Sequence, residues 1–478
     1  MKINSIDIDN NKKSIALFFL LLITSLAPFS MATSFHDSQR LIATLVITII
    51  LIIRLVADTI FSKETLRFIF TILAWGAYVS TQSLAYEWSL VEVSLFFSVS
   101  LTILVIFKTP SLWLLTKLAL IFTAIQLVYI VADYINYALT LAISEKLNVW
   151  EIIDGFSNIR FYAQFLSWTL PFLIGFVSTQ EKPNFQKFIT AIIILSWTLA
   201  LVSGTRAFIL GMTFSLLSVF IITPNLWRRY ATWTLLTGLA GIIGYIMLVL
   251  ILPNVFGLDN NAALNSTIDR DFTNSSGRIR IWIDTLNVAM SHPYTGIGPM
   301  MTAMEGILGK VAHPHNFLLQ LMAEWGIPFT VGFMALTIYL SLKWRKLISE
   351  NPAEREILAL PVTAAISSAI AAGLVDGVMV MPVSLLYMTI IFGFGAALWR
   401  AWTPQVQRFR LPIELSSLLL IPVLSLAIIT TIQWINIAQS NQGLSSAFTP
   451  RFWLNGKISQ DNEFLNPTQT KRHNVVLR

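Results

Sequence analysis

Apolar runs long enough to cross a bilayer recur along almost the whole chain, and they constrain its fold more than any other feature. A hydrocarbon core of about 30 Å is crossed by roughly 20 predominantly apolar residues in a helix. Candidate spans are 14–31, 41–61, 66–85, 88–107, 111–139, 161–179, 187–203, 205–222, 232–252, 316–342, 357–376, 383–401 and 414–434. Only 12% of the residues are charged and 55% are hydrophobic, where a soluble chain carries about 25% charged residues. That is too little charge to cover a water-facing surface, and the mean hydropathy is +0.70. The expected fold class is an all-α polytopic membrane protein with about 12–13 transmembrane helices and one long loop.

The organisation follows from the spans. Residues 1–252 are expected to form an N-terminal transmembrane helix bundle, and 253–315 a long loop containing an amphipathic helix. Residues 316–434 supply the C-terminal transmembrane helices, and 435–478 a tail. Only Ser203-Gly204-Thr205-Arg206 parts the spans 187–203 and 205–222. The first span has Lys12 and Lys13 before it and Ser30-Met31-Ala32 after it, which is also the pattern of a cleavable signal peptide. An uncleaved anchor is expected because many spans follow.

A net charge of +7 could point to nucleic acid. The basic residues instead sit in short loops between spans, where they set orientation, so no nucleic acid is expected. With the N-terminus inside and the spans alternating, 18 Lys and Arg residues fall inside. Eight fall in outside loops: Arg40, Lys146, Arg160, Arg206, Arg270, Arg278, Arg280 and Lys310. The long loop then faces out, as do all five histidines: His36, His292, His313, His315 and His473. The chain has no cysteine, which excludes a disulfide framework and thiolate chemistry.

Three local signals could carry chemistry. The first is His313-Pro314-His315-Asn316, directly before a span. Pro314 prevents a regular helix through this point. Imidazole changes charge near neutrality and can take a proton from an attacking hydroxyl. A polar cap on the following helix is the competing reading of His315, and a metal site with His313 and His292 lacks a further ligand at a recognisable spacing. Beyond it, Asn316, Gln320 and Glu324 share one helical face that should point to a cavity or into the bundle. Gly326-Ile327-Pro328 then predicts a kink.

The second signal is Arg206. An arginine so close to membrane depth must be paired or hydrated, and its forked donors match diphosphate oxygens. Binding to lipid headgroups is the competing reading. The third runs from Ser276-Gly277-Arg278-Ile279-Arg280-Ile281-Trp282 to His292-Pro293-Tyr294-Thr295-Gly296-Ile297-Gly298. Ile279, Trp282, Ile283, Leu286 and Met290 recur at helical spacing, which suggests an amphipathic helix in the membrane interface. Arg278 opens it, where backbone N–H groups can add to anion binding. Simple anchoring, with Trp282 as an interfacial aromatic, is the alternative. Asp133, Asp154, Arg160, Asp376 and Glu92 are further polar residues near or within spans.

In this order, an Arg at a short turn, a Gly-Arg-x-x-x-Trp loop, His-Pro-x-x-Gly-x-Gly and His-x-His-Asn before a span, the chain resembles the O-antigen ligase and O-antigen polymerase superfamily. That superfamily also contains pilin-glycosylating oligosaccharyltransferases. Its ligase pattern is His-(Asn/Ser/Gln)-x9-Gly-x-x-(Gly/Thr/Tyr). Here His315-Asn316 is followed by nine residues and then Gly326-Ile327-Pro328-Phe329, so Phe329 departs from the pattern.

The resemblance implies a multi-pass protein of the bacterial inner membrane whose site and long loop face the periplasm. Its partners would be an undecaprenyl-diphosphate-linked glycan donor, an acceptor such as lipid A-core or a pilin Ser/Thr hydroxyl, and membrane lipids. No metal or cofactor is implied. His315 would be the general base, and Arg206 and Arg278, joined by Arg160 and Arg280, would hold the diphosphate. His313, Asn316, Gln320, Glu324 and Gly326 would support them. A repeat-unit polymerase and a protein O-oligosaccharyltransferase are alternatives within the superfamily. A transporter or flippase would place its charges nearer the bilayer midplane and show paired repeats.

Overall fold

The computed structural model describes residues 33–56, 60–180, 183–260, 277–309, 311–403, 408–410, 412–439 and 451–453. The expected span 14–31, the pattern at Ser30-Met31-Ala32, Arg270, Lys310 and His473 lie outside these residues. The helices in chain order are α1 (Phe35–Val56), α2 (Lys63–Ser80), α3 (Tyr86–Val105), α4 (Leu112–Ile143), α5 (Ile159–Thr179), α6 (Pro183–Val202) and α7 (Arg206–Ile222). They continue with α8 (Trp227–Ile246), α9 (Arg278–Ser291), α10 (Phe317–Trp325), α11 (Ile327–Ser349), α12 (Pro352–Gly373), α13 (Pro382–Trp402) and α14 (Ile413–Gln439). Two three-residue strands, β1 (Ile60–Ser62) and β2 (Arg408–Arg410), pair antiparallel with Ile60 opposite Arg410.

Among the described residues, nine helices are long and apolar enough to cross a membrane: α1, α3, α4, α5, α8 with its continuation to Val255, α11, α12, α13 and α14. The protein is therefore a helical, multi-pass membrane protein. The pair expected at 187–203 and 205–222 is two helices, separated by a turn at Ser203-Gly204-Thr205. Helix starts follow local chemistry. The Ser62 hydroxyl accepts the Thr65 N–H at 3.1 Å, the Ser111 hydroxyl the Leu114 N–H at 3.2 Å, and the Asn158 side-chain oxygen the Arg160 N–H at 2.9 Å.

The described residues of Ser100–Gly277 and Met334–Gln407 form one compact unit, and those of Ser30–Val99, Arg278–Phe333 and Arg408–Arg478 a second. In the first, α12 packs on α5 and α7, and α6 packs on α8. Buried Ala364, Ala365, Ala369, Ala371 and Ala372 let α12 approach its neighbours closely. Polar side chains fasten this bundle. Gln126 donates to Thr169 at 2.7 Å and accepts from Ser196 at 2.9 Å, while Gln164 donates to Asp376 at 2.9 Å. Asp133 accepts the backbone N–H of Asp154 at 2.8 Å. Leu235, Leu239 and Ile243 of α8 are exposed, a surface that suits acyl chains rather than water.

The second unit packs α14 on α1 and α9 on α10. The sequence places one kinked span at 316–342, but the structure breaks it completely. α10 ends at Trp325 and α11 begins at Ile327. Gly326 between them has φ +90°.

Candidate active site

His315 occupies a strained position. Its φ is +54°, in the left-handed region that a residue with a Cβ enters only at a cost of about 1–2 kcal/mol. Three contacts hold it there. The His315 N–H donates to Nδ1 of His313 at 3.2 Å. The two imidazoles lie 4.2 Å apart between ring centroids. Trp282 of α9 donates its indole N–H to the Pro314 carbonyl at 2.9 Å. The capping role considered for His315 falls to Asn316, whose side-chain oxygen accepts the N–H groups of Leu318 and Leu319, both at 3.0 Å.

His313 is buried, and burial holds its pKa well below the usual imidazole value. The neighbouring His315, Arg451, Arg278 and His36 act in the same direction. His313 is therefore neutral. Because its Nδ1 accepts a backbone N–H, its proton resides on Nε2.

His-Pro-x-x-Gly-x-Gly acts through its backbone. The last carbonyls of a helix have no partner within it. Here the Ile297 N–H donates to the Ala323 carbonyl at 2.8 Å and the Gly298 N–H to the Glu324 carbonyl at 3.1 Å. Trp75 donates to the Trp325 carbonyl at 3.2 Å, and the Ile327 N–H returns to the Pro293 carbonyl at 2.8 Å. A Cβ on Gly326 would overlap the Tyr294 carbonyl oxygen, and one on Gly296 would overlap the Ala323–Glu324 backbone. Phe329, the departure from the ligase pattern, stacks on Trp325 with centroids 4.9 Å apart. His292 is exposed and its Nδ1 lies 3.0 Å from the Ser291 hydroxyl.

Of the polar stripe, Gln320 and Glu324 are buried in the unit, while Asn316 is half-buried and caps the helix. Gln320 lies 3.4 Å from the carboxylate of Glu324, which is 1% exposed. Glu324 also accepts the N–H of Thr302 at 3.0 Å and its hydroxyl at 2.6 Å, and it pairs with both terminal nitrogens of Arg451. Arg451 is the residue that local sequence reasoning misses. Its partner on α10 is 127 positions away, so no spacing rule reaches it. The available signal is the adjacent aromatic pair Phe452-Trp453 in the tail after the last span.

Each of the four arginines stands in the first turn of a helix. Arg278 is the first residue of α9 and Arg280 the third; Arg206 opens α7, and Arg160 is the second residue of α5. None of these three helices has an acidic residue in its first turn. A cation is disfavoured at a helix N-terminus, where backbone N–H groups favour anions. Arginines placed there gain most when an anion binds. Arg278 is half-buried and Arg280 exposed, in the same unit as His313 and His315; Arg160 and Arg206 belong to the first unit. Along α9, Thr285 and Ala289 are buried while Ile279, Ile283, Leu286 and Met290 are exposed. Trp282, at the same helical spacing as the exposed four, is turned instead toward the His313 turn.

Residues 191–334 match the family model described as O-antigen ligase. Over these residues the chain is similar to the O-antigen ligase superfamily, and the match supports that reading. The matched residues include Arg206, Arg278, the His-Pro-x-x-Gly-x-Gly loop, His315 and Gly326; Arg160, Glu92 and Arg451 lie outside them. No curated protein matches the chain. The match supports membrane glycan transfer in general.

Proposed function

We propose that the protein moves a glycan from undecaprenyl diphosphate to an acceptor hydroxyl at the periplasmic face of the bacterial inner membrane, with His315 as general base. The observation that supports this best is the strained His315 turn. Its backbone is clamped by His313 and Trp282 while Asn316 takes the capping duty. Local strain of this kind persists where surroundings over-determine it, and it collects at functional sites.

In the reaction, the acceptor oxygen attacks the anomeric carbon as its proton passes to the His315 imidazole. The bond from that carbon to the phosphate oxygen breaks, and undecaprenyl diphosphate leaves with the electron pair. Arg278, supported by Arg280, steadies the charge that builds on the leaving group. The family resemblance adds Arg206 and Arg160 to the donor-binding residues. No metal or nucleotide is called on.

The test is glycan transfer in membranes carrying native protein or His315→Ala, with lipid A-core and pilin as separate acceptors. Loss of the base should cost about 10²–10⁴-fold in turnover at equal protein level. The acceptor that works assigns the branch. Full activity in His315→Ala overturns the base assignment. Elongation of the donor glycan without transfer to either acceptor makes the protein a polymerase.

A further inference from the structure

We propose that Arg451 is a positioning residue for this reaction, and that its pairing with Glu324 fixes the helix that begins beside His315. This inference rests on the reading of His315 as the base.

Arg451 is 1% exposed, and Phe452 and Trp453 beside it are also buried. An arginine is rarely buried to this extent unless it is paired, and here the pairing is dense. Its terminal nitrogens reach the Glu324 carboxylate, with one contact at 2.6 Å, the Thr302 hydroxyl at 2.6 Å and Glu92 at 3.2 Å. Thr302 itself donates twice to Glu324. One guanidinium thus ties α3, the turn at Met301–Ala303 and α10 together.

The three-residue segment is held in turn. Arg40 of α1 donates to the Arg451 carbonyl at 2.5 Å and the Phe452 carbonyl at 3.1 Å, with its guanidinium 5.0 Å over the Phe452 ring. Trp453 donates to Gln433 of α14 at 3.1 Å. Arg451 therefore presents its charge from an anchored backbone.

The mechanical link to the base is short. α10 has nine residues, with Glu324 in its last turn and the Asn316 cap at its start. A helix of this length moves as a rod, so the azimuth set at Glu324 is the azimuth at which His315 is delivered. Without Arg451, the buried Glu324 carboxylate keeps Thr302 and Gln320 but loses its cation, while Glu92 retains the field of Arg40. Glu324 must then move toward water or take up a proton, and either change loosens the end of α10 that Arg451 holds.

Three variants test this in purified full-length protein: Arg451→Gln, Arg451→Lys, and Arg451→Gln/Glu324→Gln, which removes the fully buried carboxylate together with its cation if the first fails to fold. Two readouts are taken. Amide hydrogen exchange should accelerate at least tenfold at Leu318 and Leu319 in Arg451→Gln and in the double variant, while α12 amides hold their rates. In the transfer assay kcat should fall by about 10²-fold, as for a base displaced by roughly 1 Å, with donor KM little changed. Arg451→Lys should recover part of both. Unchanged exchange at Leu318 and Leu319 overturns the inference whatever the activity. So does full kcat in a folded Arg451→Gln protein when His315→Ala is inactive. Full kcat in His315→Ala instead removes the base assignment, so the two failures are told apart.

Discussion

At the residue scale, His313 makes a prediction of definite sign. Its folded-state pKa is lowered by burial first, then by His315, Arg451, Arg278 and His36. The unfolded imidazole takes its proton below about pH 6.5, while the folded one resists to lower pH. The turn is thus fully stable above about pH 6.5 and loses stability as pH falls toward the folded value. Thermal midpoints of native protein should drop between about pH 6.5 and 5 more steeply than those of His313→Gln; parallel slopes would show that His313 does not carry this term. The residues at this site differ in how far sequence alone reveals them. The His-Pro-His-Asn cluster announces itself because it is contiguous. Trp282 looks like one more member of an apolar helical face, and only the fold shows its indole holding the Pro314 carbonyl. Arg451 is invisible to local reasoning, since an ion pair across 127 positions leaves no periodicity.

At the scale of elements, the hydrophobic spans are legible because a helix in lipid is specified by its own composition. Most described helices begin and end within a few residues of the expected limits. The Gly326 break is read from sequence as a kink, because Gly-x-Pro is local but its cause is not. That cause is the 292–298 loop, which takes over the carbonyls of α10. Gly326→Ala must therefore accept φ +90° and displace the Tyr294 carbonyl. Together these should cost about 2–4 kcal/mol and most of the activity. Gly332→Ala, in α11 with no atom near its missing Cβ, is the control. It should be neutral or stabilising by up to about 1 kcal/mol. Detergent-solubilised thermal unfolding separates the two, and equal midpoints would remove the clamp from the account.

At the scale of the whole molecule, the charge bias gives an orientation that a chain without cysteine makes simple to measure. Tyr294 is exposed in the loop after α9, and Arg228 is exposed at the start of α8. A membrane-impermeant maleimide added to intact spheroplasts should label Tyr294→Cys and leave Arg228→Cys unlabelled until the membrane is opened. The reverse pattern would invert the topology and remove the periplasmic assignment of the site. The distribution of function over the molecule has its own logic. The matched residues 191–334 contribute to both compact units, whereas Glu92 and Arg451, which brace α10, come from outside the match. The proposed base thus lies within the matched segment, and these two bracing residues lie outside it.

The interval of nine residues between Asn316 and Gly326 is the length of α10 itself. One end carries the cap that follows His315, and the other is locked by the loop that holds its carbonyls. The count then works as a gauge that sets distance and phase together. One residue inserted into 317–325 would swing the histidine about 100° around the axis and advance it about 1.5 Å. Four inserted residues would nearly restore the phase but displace it by about 6 Å. No change of length satisfies both ends, so the length of this stretch is fixed even where, away from Gln320 and Glu324, its sequence can vary.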